Sequence, residues 1–230
     1  MDIKVDNSPY IVRDTRLPIK KAPLRAPLEL KKGYFFFKRS FDLFFSLIVI
    51  LGVLSWLLPV MALLIRLDSR GPVFFLQKRM GKGGKAFTCF KLRTMIVNSG
   101  ADRQPASEVD PRITRTGRWL RRSHLDELPQ FLNVLFGSMS LVGPRPYMLA
   151  DCRNFSAMVP GHTYRNFVRP GITGLAQVKG LHGSGPVTDF KTVFWRYQWD
   201  AFYVRNAGFL LDMRVIRQTI LLFITQRTPL

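Results

Sequence analysis

Leu43-Phe44-Phe45-Ser46-Leu47-Ile48-Val49-Ile50-Leu51-Gly52-Val53-Leu54-Ser55-Trp56-Leu57-Leu58-Pro59-Val60-Met61-Ala62-Leu63-Leu64-Ile65 runs 23 residues without a charge, bounded by Asp42 and Arg66. At about 1.5 Å per residue a straight helix of this length measures about 35 Å, enough for a bilayer core. Helices buried in soluble domains rarely stay uncharged for so long, so the run reads as a membrane helix. Pro59 sits inside it, and its ring clashes with the carbonyl of Ser55. A break there frees backbone groups at membrane depth, which Ser55 is placed to satisfy in part. Both flanks are basic: Arg25, Lys31, Lys32, Lys38 and Arg39 before the run, and Arg66, Arg70, Lys78, Arg79, Lys82 and Lys85 after it. A single span keeps its basic residues mainly on the cytoplasmic side. The balance therefore predicts a helix over residues 34–70 that enters, breaks and returns on one face, with both flanks cytoplasmic.

Upstream, residues 1–33 are polar and dotted with Pro9, Pro18, Pro23 and Pro27. They read as a mobile basic tail with no secretory signal. The whole chain of 230 residues carries 35 Lys plus Arg against 15 Asp plus Glu, a formal charge of +20. That excess points to anionic partners: nucleic acid, phospholipid headgroups or phosphorylated substrates. Three histidines with Cys89 and Cys152 are too few for a zinc-type cluster, and two cysteines make a poor disulfide framework. Both thiols are expected to be reduced, in a cytosolic setting.

Downstream, Val73 to Met95 reads as a hairpin about the turn Gly81-Lys82-Gly83-Gly84. Lys91 and Arg93, two apart on an extended strand, share one face while Phe90 and Leu92 take the other. Such a pair suits a diphosphate, and equally a solvated edge. Residues 98–112 are polar and loop-like. In Arg121-Arg122-Ser123-His124-Leu125-Asp126-Glu127-Leu128-Pro129-Gln130 two adjacent carboxylates lie beside two arginines, ahead of the apolar Phe131 to Phe136. Pro129 is tolerated only near a helix start, which places the acids in a cap or first turn. There the positive helix end favours ionised carboxylates and phosphate. An ionised Asp beside an anion site is a candidate nucleophile toward phosphorus; read alone, the pair is also a simple capping pattern with surface arginines.

In Leu141-Val142-Gly143-Pro144-Arg145-Pro146 the two prolines stiffen the backbone around Arg145, a presentation suited to a phosphate or carboxylate in fixed geometry. Arg169-Pro170-Gly171-Ile172-Thr173-Gly174 reads as a second rigid turn. Residues 180–188 read as a glycine-rich loop in which His182 is a solvated residue. Thr192 to Tyr203 reads as a helix. Phe209 to Ile224 fits either a helix lying in the bilayer interface or an ordinary amphipathic core helix.

Taken in order, these motifs resemble the bacterial sugar transferase family, the monotopic phosphoglycosyl transferases that act on polyprenyl phosphate, especially the short exopolysaccharide-initiating kind. The likeness runs from Lys38-Arg39-Ser40-Phe41-Asp42 to about Arg217. It is carried by Lys91-Leu92-Arg93-Thr94-Met95, Leu125-Asp126-Glu127-Leu128-Pro129-Gln130, Val142-Gly143-Pro144-Arg145-Pro146 and Arg169-Pro170-Gly171-Ile172-Thr173-Gly174. Asp200, Tyr203, Asn206 and Asp212 match a weaker C-terminal pattern. The resemblance implies a mainly helical α+β fold: a monotopic membrane protein with a proline-broken re-entrant helix, a small β-hairpin and interfacial amphipathic helices. A catalytic domain over 71–205 would sit on the cytoplasmic face of the bacterial inner membrane, with 206–230 as a C-terminal interfacial helix.

The resemblance also implies the reaction, in which a UDP-sugar gives its phosphosugar to polyprenyl (undecaprenyl) phosphate and releases UMP. In that family the Asp matching Asp126 forms a covalent phosphosugar intermediate, and the Glu matching Glu127 assists by acid–base work or by ordering Mg2+. Asp126 and Glu127 are thus the expected catalytic residues and the expected Mg2+ ligands. Lys91, Arg93, Arg121, Arg145 and Arg169 are expected around the diphosphate and the phospholipid. Expected partners are the UDP-sugar, polyprenyl phosphate and anionic phospholipids, with a homo-oligomer left open. His124 departs from the family's usual Ser, and 180–188 is longer and richer in glycine than the family's usual turn, which bears on the donor sugar. Two other readings compete. A nucleic-acid binder explains the charge and the aromatic–basic interleaving near Trp195 to Tyr203 but not the proline-broken apolar run, so no nucleic-acid partner is expected. A non-catalytic membrane-surface scaffold leaves Asp126-Glu127 and Arg145 without a role.

Overall fold

The computed structural model describes residues 31–97, 110–181 and 189–225. The tail at 1–30, most of the 98–112 loop and residues 182–188, with His182, lie outside the described residues. Among those described, one helical stretch, Lys32–Asp68, is long and apolar enough to cross a membrane. It consists of α1 (Lys32–Val49), a π-helical turn at Ile50–Leu54 and α2 (Ser55–Asp68). Helix continues through Pro59, and the departure from α geometry comes just ahead of Ser55. There the Ser55 amide reaches back five residues to the Ile50 carbonyl. The Ser55 hydroxyl donates to the Leu51 carbonyl at 2.6 Å and the Trp56 indole to the Gly52 carbonyl at 2.8 Å. Side chains thus cover carbonyls that a wider turn leaves poorly paired, the usual companion of such bulges.

The hairpin follows as expected, with β1 (Phe74–Met80) antiparallel to β2 (Ala86–Leu92) and Gln77 opposite Cys89. Its turn holds a 3-10 segment at Lys82–Gly84, with Gly83 in the left-handed region. Next come α3 (Arg115–Arg122), a 3-10 turn at Leu125–Glu127, α4 (Gln130–Leu135), β3 (Ser140–Val142) and α5 (Leu149–Met158). A 3-10 segment at His162–Phe167, β4 (Gly171–Thr173), α6 (Leu175–Val178), α7 (Phe190–Asn206) and α8 (Phe209–Ile224) complete the order. The fold is mainly helical with a small β-hairpin, as read from the sequence.

The stretch 169–174, expected as a turn, instead supplies β4, which pairs in parallel with β3. The glycines explain it. A Cβ on Gly171 would lie 2.1 Å from the Gly143 amide nitrogen, so only glycine lets these two backbones meet. Val142, Tyr164, Leu175, Trp199, Tyr203 and Val204 build the main core over this small sheet. Cys89 and Cys152 are both buried and free, as expected.

Both ends of the long helix are fastened to these elements. At its start Asp212 of α8 accepts hydrogen bonds from Tyr34 (2.7 Å), Lys38 (2.8 Å) and Tyr203 (2.8 Å). Asp42 accepts the Leu141 amide at 3.1 Å. Arg39 donates to the carbonyls of Val134 (2.7 Å) and Leu135 (3.0 Å) at the C-terminal end of α4. At its far end Arg93 donates to the carbonyls of Ser69 (2.6 Å), Arg70 (2.6 Å) and Ile65 (3.4 Å).

Candidate active site

β2, the 3-10 turn and the proline-flanked strand end converge on Glu127. Lys91, at the end of β2, places its ammonium 2.6 Å from Glu127 Oε1. Arg145 reaches the same carboxylate with two nitrogens, at 2.9 and 3.4 Å. Pro144 and Pro146 are both buried, so the backbone between them is fixed and the guanidinium arrives in one orientation. Burial alone would raise the Glu127 pKa, but Arg145 and Lys91 outweigh it and hold the carboxyl well below its ordinary range. Glu127 is therefore a fixed anion that orders two cations, and a poor proton donor.

Asp126, its neighbour, behaves oppositely. Burial is the largest influence on it and pushes its pKa up to about 6. The Glu127 charge adds to this, while Lys91, Arg121 and Arg145 pull the other way. No described residue donates a hydrogen bond to its carboxylate. Arg121 stands close enough to act on Asp126 electrostatically and is steadied by a 2.9 Å bond to the Thr94 hydroxyl.

The acids were expected in a cap or first turn of the helix that Pro129 marks, both kept ionised by its positive end. They lie instead in the separate 3-10 turn Leu125–Glu127, and α4, six residues long, starts only at Gln130. Cations from other elements set the state of Glu127, and burial sets that of Asp126. The turn is launched by His124, the one non-glycine residue in the left-handed region among those described (φ 55°). Its carbonyl accepts the Glu127 amide at 3.2 Å, and its ring stands edge-on to Phe223 at 5.4 Å.

Lys91, Arg121 and Arg145 thus gather around the acids, while Arg93 and Arg169 do not. β2 ends at Leu92, and past it the Arg93 guanidinium turns to the carbonyls that end the long apolar helix, so the two-residue spacing does not keep Lys91 and Arg93 together. Arg169 donates to the Gly137 carbonyl at 2.8 Å. Arg165, by contrast, was not singled out. It is buried, pairs with Asp200 at 2.9 Å, lies over the Tyr147 ring at 3.9 Å and donates to the Arg145 carbonyl at 2.5 Å. Only its place four residues ahead of Arg169 could have drawn attention to it; its partner, 35 residues away, is not visible from spacing. Arg145 and Arg165 also line a small open cleft beside Gly81 and Asn166.

Asp126 and Glu127 offer an all-oxygen donor pair. Mg2+ is commonly held by one or two carboxylates together with substrate phosphates, so the pair fits that ion, with Asp126 the carboxylate that no described residue hydrogen-bonds. Among the described residues no cluster of three or more His, Cys, Asp or Glu side chains stands as an all-protein metal cage.

The chain thus joins an acidic dyad ringed by cations to a helix long and apolar enough to cross a membrane. Residues 33–226 match the family model described as bacterial sugar transferase, and the chain belongs to that family. It is 45% identical over 194 residues to the exopolysaccharide production protein PSS of Rhizobium leguminosarum bv. phaseoli, covering 82% of this chain and 96% of that one. It is 42% identical over 189 residues to a UDP-glucose:undecaprenyl-phosphate glucose-1-phosphate transferase of Xanthomonas campestris pv. campestris. A UDP-N-acetylgalactosamine-undecaprenyl-phosphate N-acetylgalactosaminephosphotransferase of Aeromonas hydrophila is 42% identical over 195 residues. These matches cover 81% and 84% of this chain but only 38% and 44% of those two proteins.

Proposed function

We propose that this chain transfers a sugar-1-phosphate from a UDP-sugar to polyprenyl (undecaprenyl) phosphate, releasing UMP, as the first membrane step of exopolysaccharide or other glycoconjugate synthesis. The observation that carries this reading is the pairing of a buried Asp126, to which no described residue donates a hydrogen bond, with a Glu127 that fixes Lys91 and Arg145. The names of the relatives and the family match support it.

In this mechanism an Asp126 carboxylate oxygen attacks the phosphorus that bears the sugar. The bond from that phosphorus to the UMP oxygen breaks, and UMP leaves with the electron pair. The resulting acyl phosphate holds the phosphosugar until a phosphate oxygen of the lipid attacks the same phosphorus and frees the carboxylate. Two displacements let donor and acceptor use one site in turn, giving ping-pong kinetics. Anion attacking anion requires charge neutralisation, which Lys91, Arg145 and Arg121 would supply. Mg2+, held by Asp126 and Glu127, would supply further neutralisation of the diphosphate when bound. Glu127, kept ionised, acts by holding the cations and ordering the metal environment.

Detergent-purified protein incubated with a panel of UDP-sugars, prenyl phosphate and Mg2+ tests the reading by UMP release. A scaffold or a nucleic-acid binder would release none from any donor. Neutralising Lys91 or Arg145 should cut turnover by roughly a hundredfold or more, as removal of one transition-state donor does. Arg93→Gln should instead lower thermal stability through the uncapped helix end. Equal turnover losses without destabilisation would return Arg93 to the substrate.

The apolar helix is proposed to be re-entrant, seating the site on the cytoplasmic face of the inner membrane. The matched basic flanks and the fastening of both helix ends to the same small domain support this. Cysteines introduced near residues 35 and 72 should both label from the cytoplasmic side only; labelling from opposite sides would make the segment a true span. Pro59→Leu should shift it toward spanning.

A further inference from the structure

α3 carries a second cationic surface that the proposed reaction does not use. Arg115, Arg118, Trp119 and Arg122 fall at i, i+3, i+4 and i+7, one face of the helix, and all four are exposed. Gly117 and Leu120 take the opposite, buried face. None of the three arginines makes an ion pair with a described residue. The stripe stands at the exit of the apolar helix, because the Thr116 amide donates to Asp68, the last residue of α2, at 2.8 Å. Exposed apolar side chains surround that exit: Leu67 is 75% exposed and Val97, beside Gly71, is 65% exposed.

We propose that this face of α3 is a docking surface for anionic phospholipid headgroups. It rests on the membrane seating proposed above and adds to it a lipid preference. The depth is set by α2: where a helix leaves the apolar layer, the next groups outward are phosphates. Three guanidiniums on one face match those phosphates in charge. Trp119 among them is the side chain favoured at that boundary, apolar in body and polar at one edge. A basic side chain near an anionic surface contributes about fivefold in affinity, so three together amount to about a hundredfold.

The test places the full chain in nanodiscs of phosphatidylcholine alone or mixed with phosphatidylglycerol and treats both with phenylglyoxal. Modification of Arg115, Arg118 and Arg122, read peptide by peptide, should be slowed about tenfold or more in the anionic discs only, and the protection should fade at high salt. Equal rates in the two discs would overturn the proposal. So would protection that tracks protein concentration rather than lipid, which would mark contact with a second copy. R115Q/R118Q/R122Q should lose retained phosphatidylglycerol on extraction while keeping UMP release in detergent, and the all-lysine counterpart should regain the lipid. If the lysine variant fails to regain it, charge is not the recognised property and the proposal falls. The cysteine labelling at residues 35 and 72 reports the seating separately, so a failed stripe and a failed re-entrant helix are distinguishable.

Discussion

Asp126→Asn and Asp126→Glu are each expected to abolish UMP release, by on the order of ten-thousandfold or more, as loss of a covalent nucleophile does. The asparagine keeps shape and burial but offers no anionic oxygen. The glutamate keeps the charge but carries it one methylene further, off the line of attack fixed by Lys91 and Arg145. Labelled UDP-sugar without lipid acceptor should leave a phosphosugar on the wild-type chain and none on Asp126→Asn. Label mapped to Glu127 would reverse the roles while leaving the reaction class intact. The pH profile carries the same assignment. Attack needs the ionised form, and burial holds the Asp126 pKa at about 6, so turnover should fall as the pH drops through about 6. Glu127→Gln removes the neighbouring charge that raises this pKa and leaves Lys91 and Arg145 uncompensated. The acidic limb should then move to lower pH, even as the maximal rate drops.

The second large effect falls on stability. Asp200→Ala is expected to leave the Arg165 guanidinium buried and unpaired, at a cost of about 3–5 kcal/mol. Against a typical domain stability of about 5–15 kcal/mol, that should appear as a large fall in the thermal midpoint in detergent. Replacing both partners with apolar residues of similar volume should restore much of the stability, since a buried pair contributes little net. Turnover should not return with it, because the Arg145 carbonyl loses its 2.5 Å donor. Full recovery of turnover would show that Arg145 is held by its prolines alone.

What could be read from the sequence followed local chemistry. The apolar run, the hairpin about Gly81 to Gly84 and the helices ending in Asn206 and Ile224 are each written in a continuous pattern, and each stands where expected. The dyad was legible for the same reason, its two acids being adjacent. Its electrostatics were not: the helix-end argument treated both carboxylates alike. Lys91 lies 36 residues and Arg145 18 residues away from Glu127, and their arrival separates the two states. Arg93 misled because strand alternation says where a side chain points only while the strand lasts. The pairing of β3 with β4 was hidden because its signal is an absence of side chains, at Gly143 and Gly171, which serves turns equally well.

The fastening of the long helix has a mechanical consequence. Arg39 and Arg93 hold main-chain oxygens rather than side chains, so the exposed apolar residues Phe44, Leu51, Trp56 and Leu63 touch no part of this fastening and can be exchanged for other apolar residues without disturbing it. Orientation, in contrast, is transmitted. Arg93 stands two residues beyond Lys91, and Arg39 grips the end of the short helix that follows the dyad. A bilayer that thins or stiffens and tilts the helix would pull on both sides of the acidic pair at once, making the elastic state of the membrane a variable of the reaction rate.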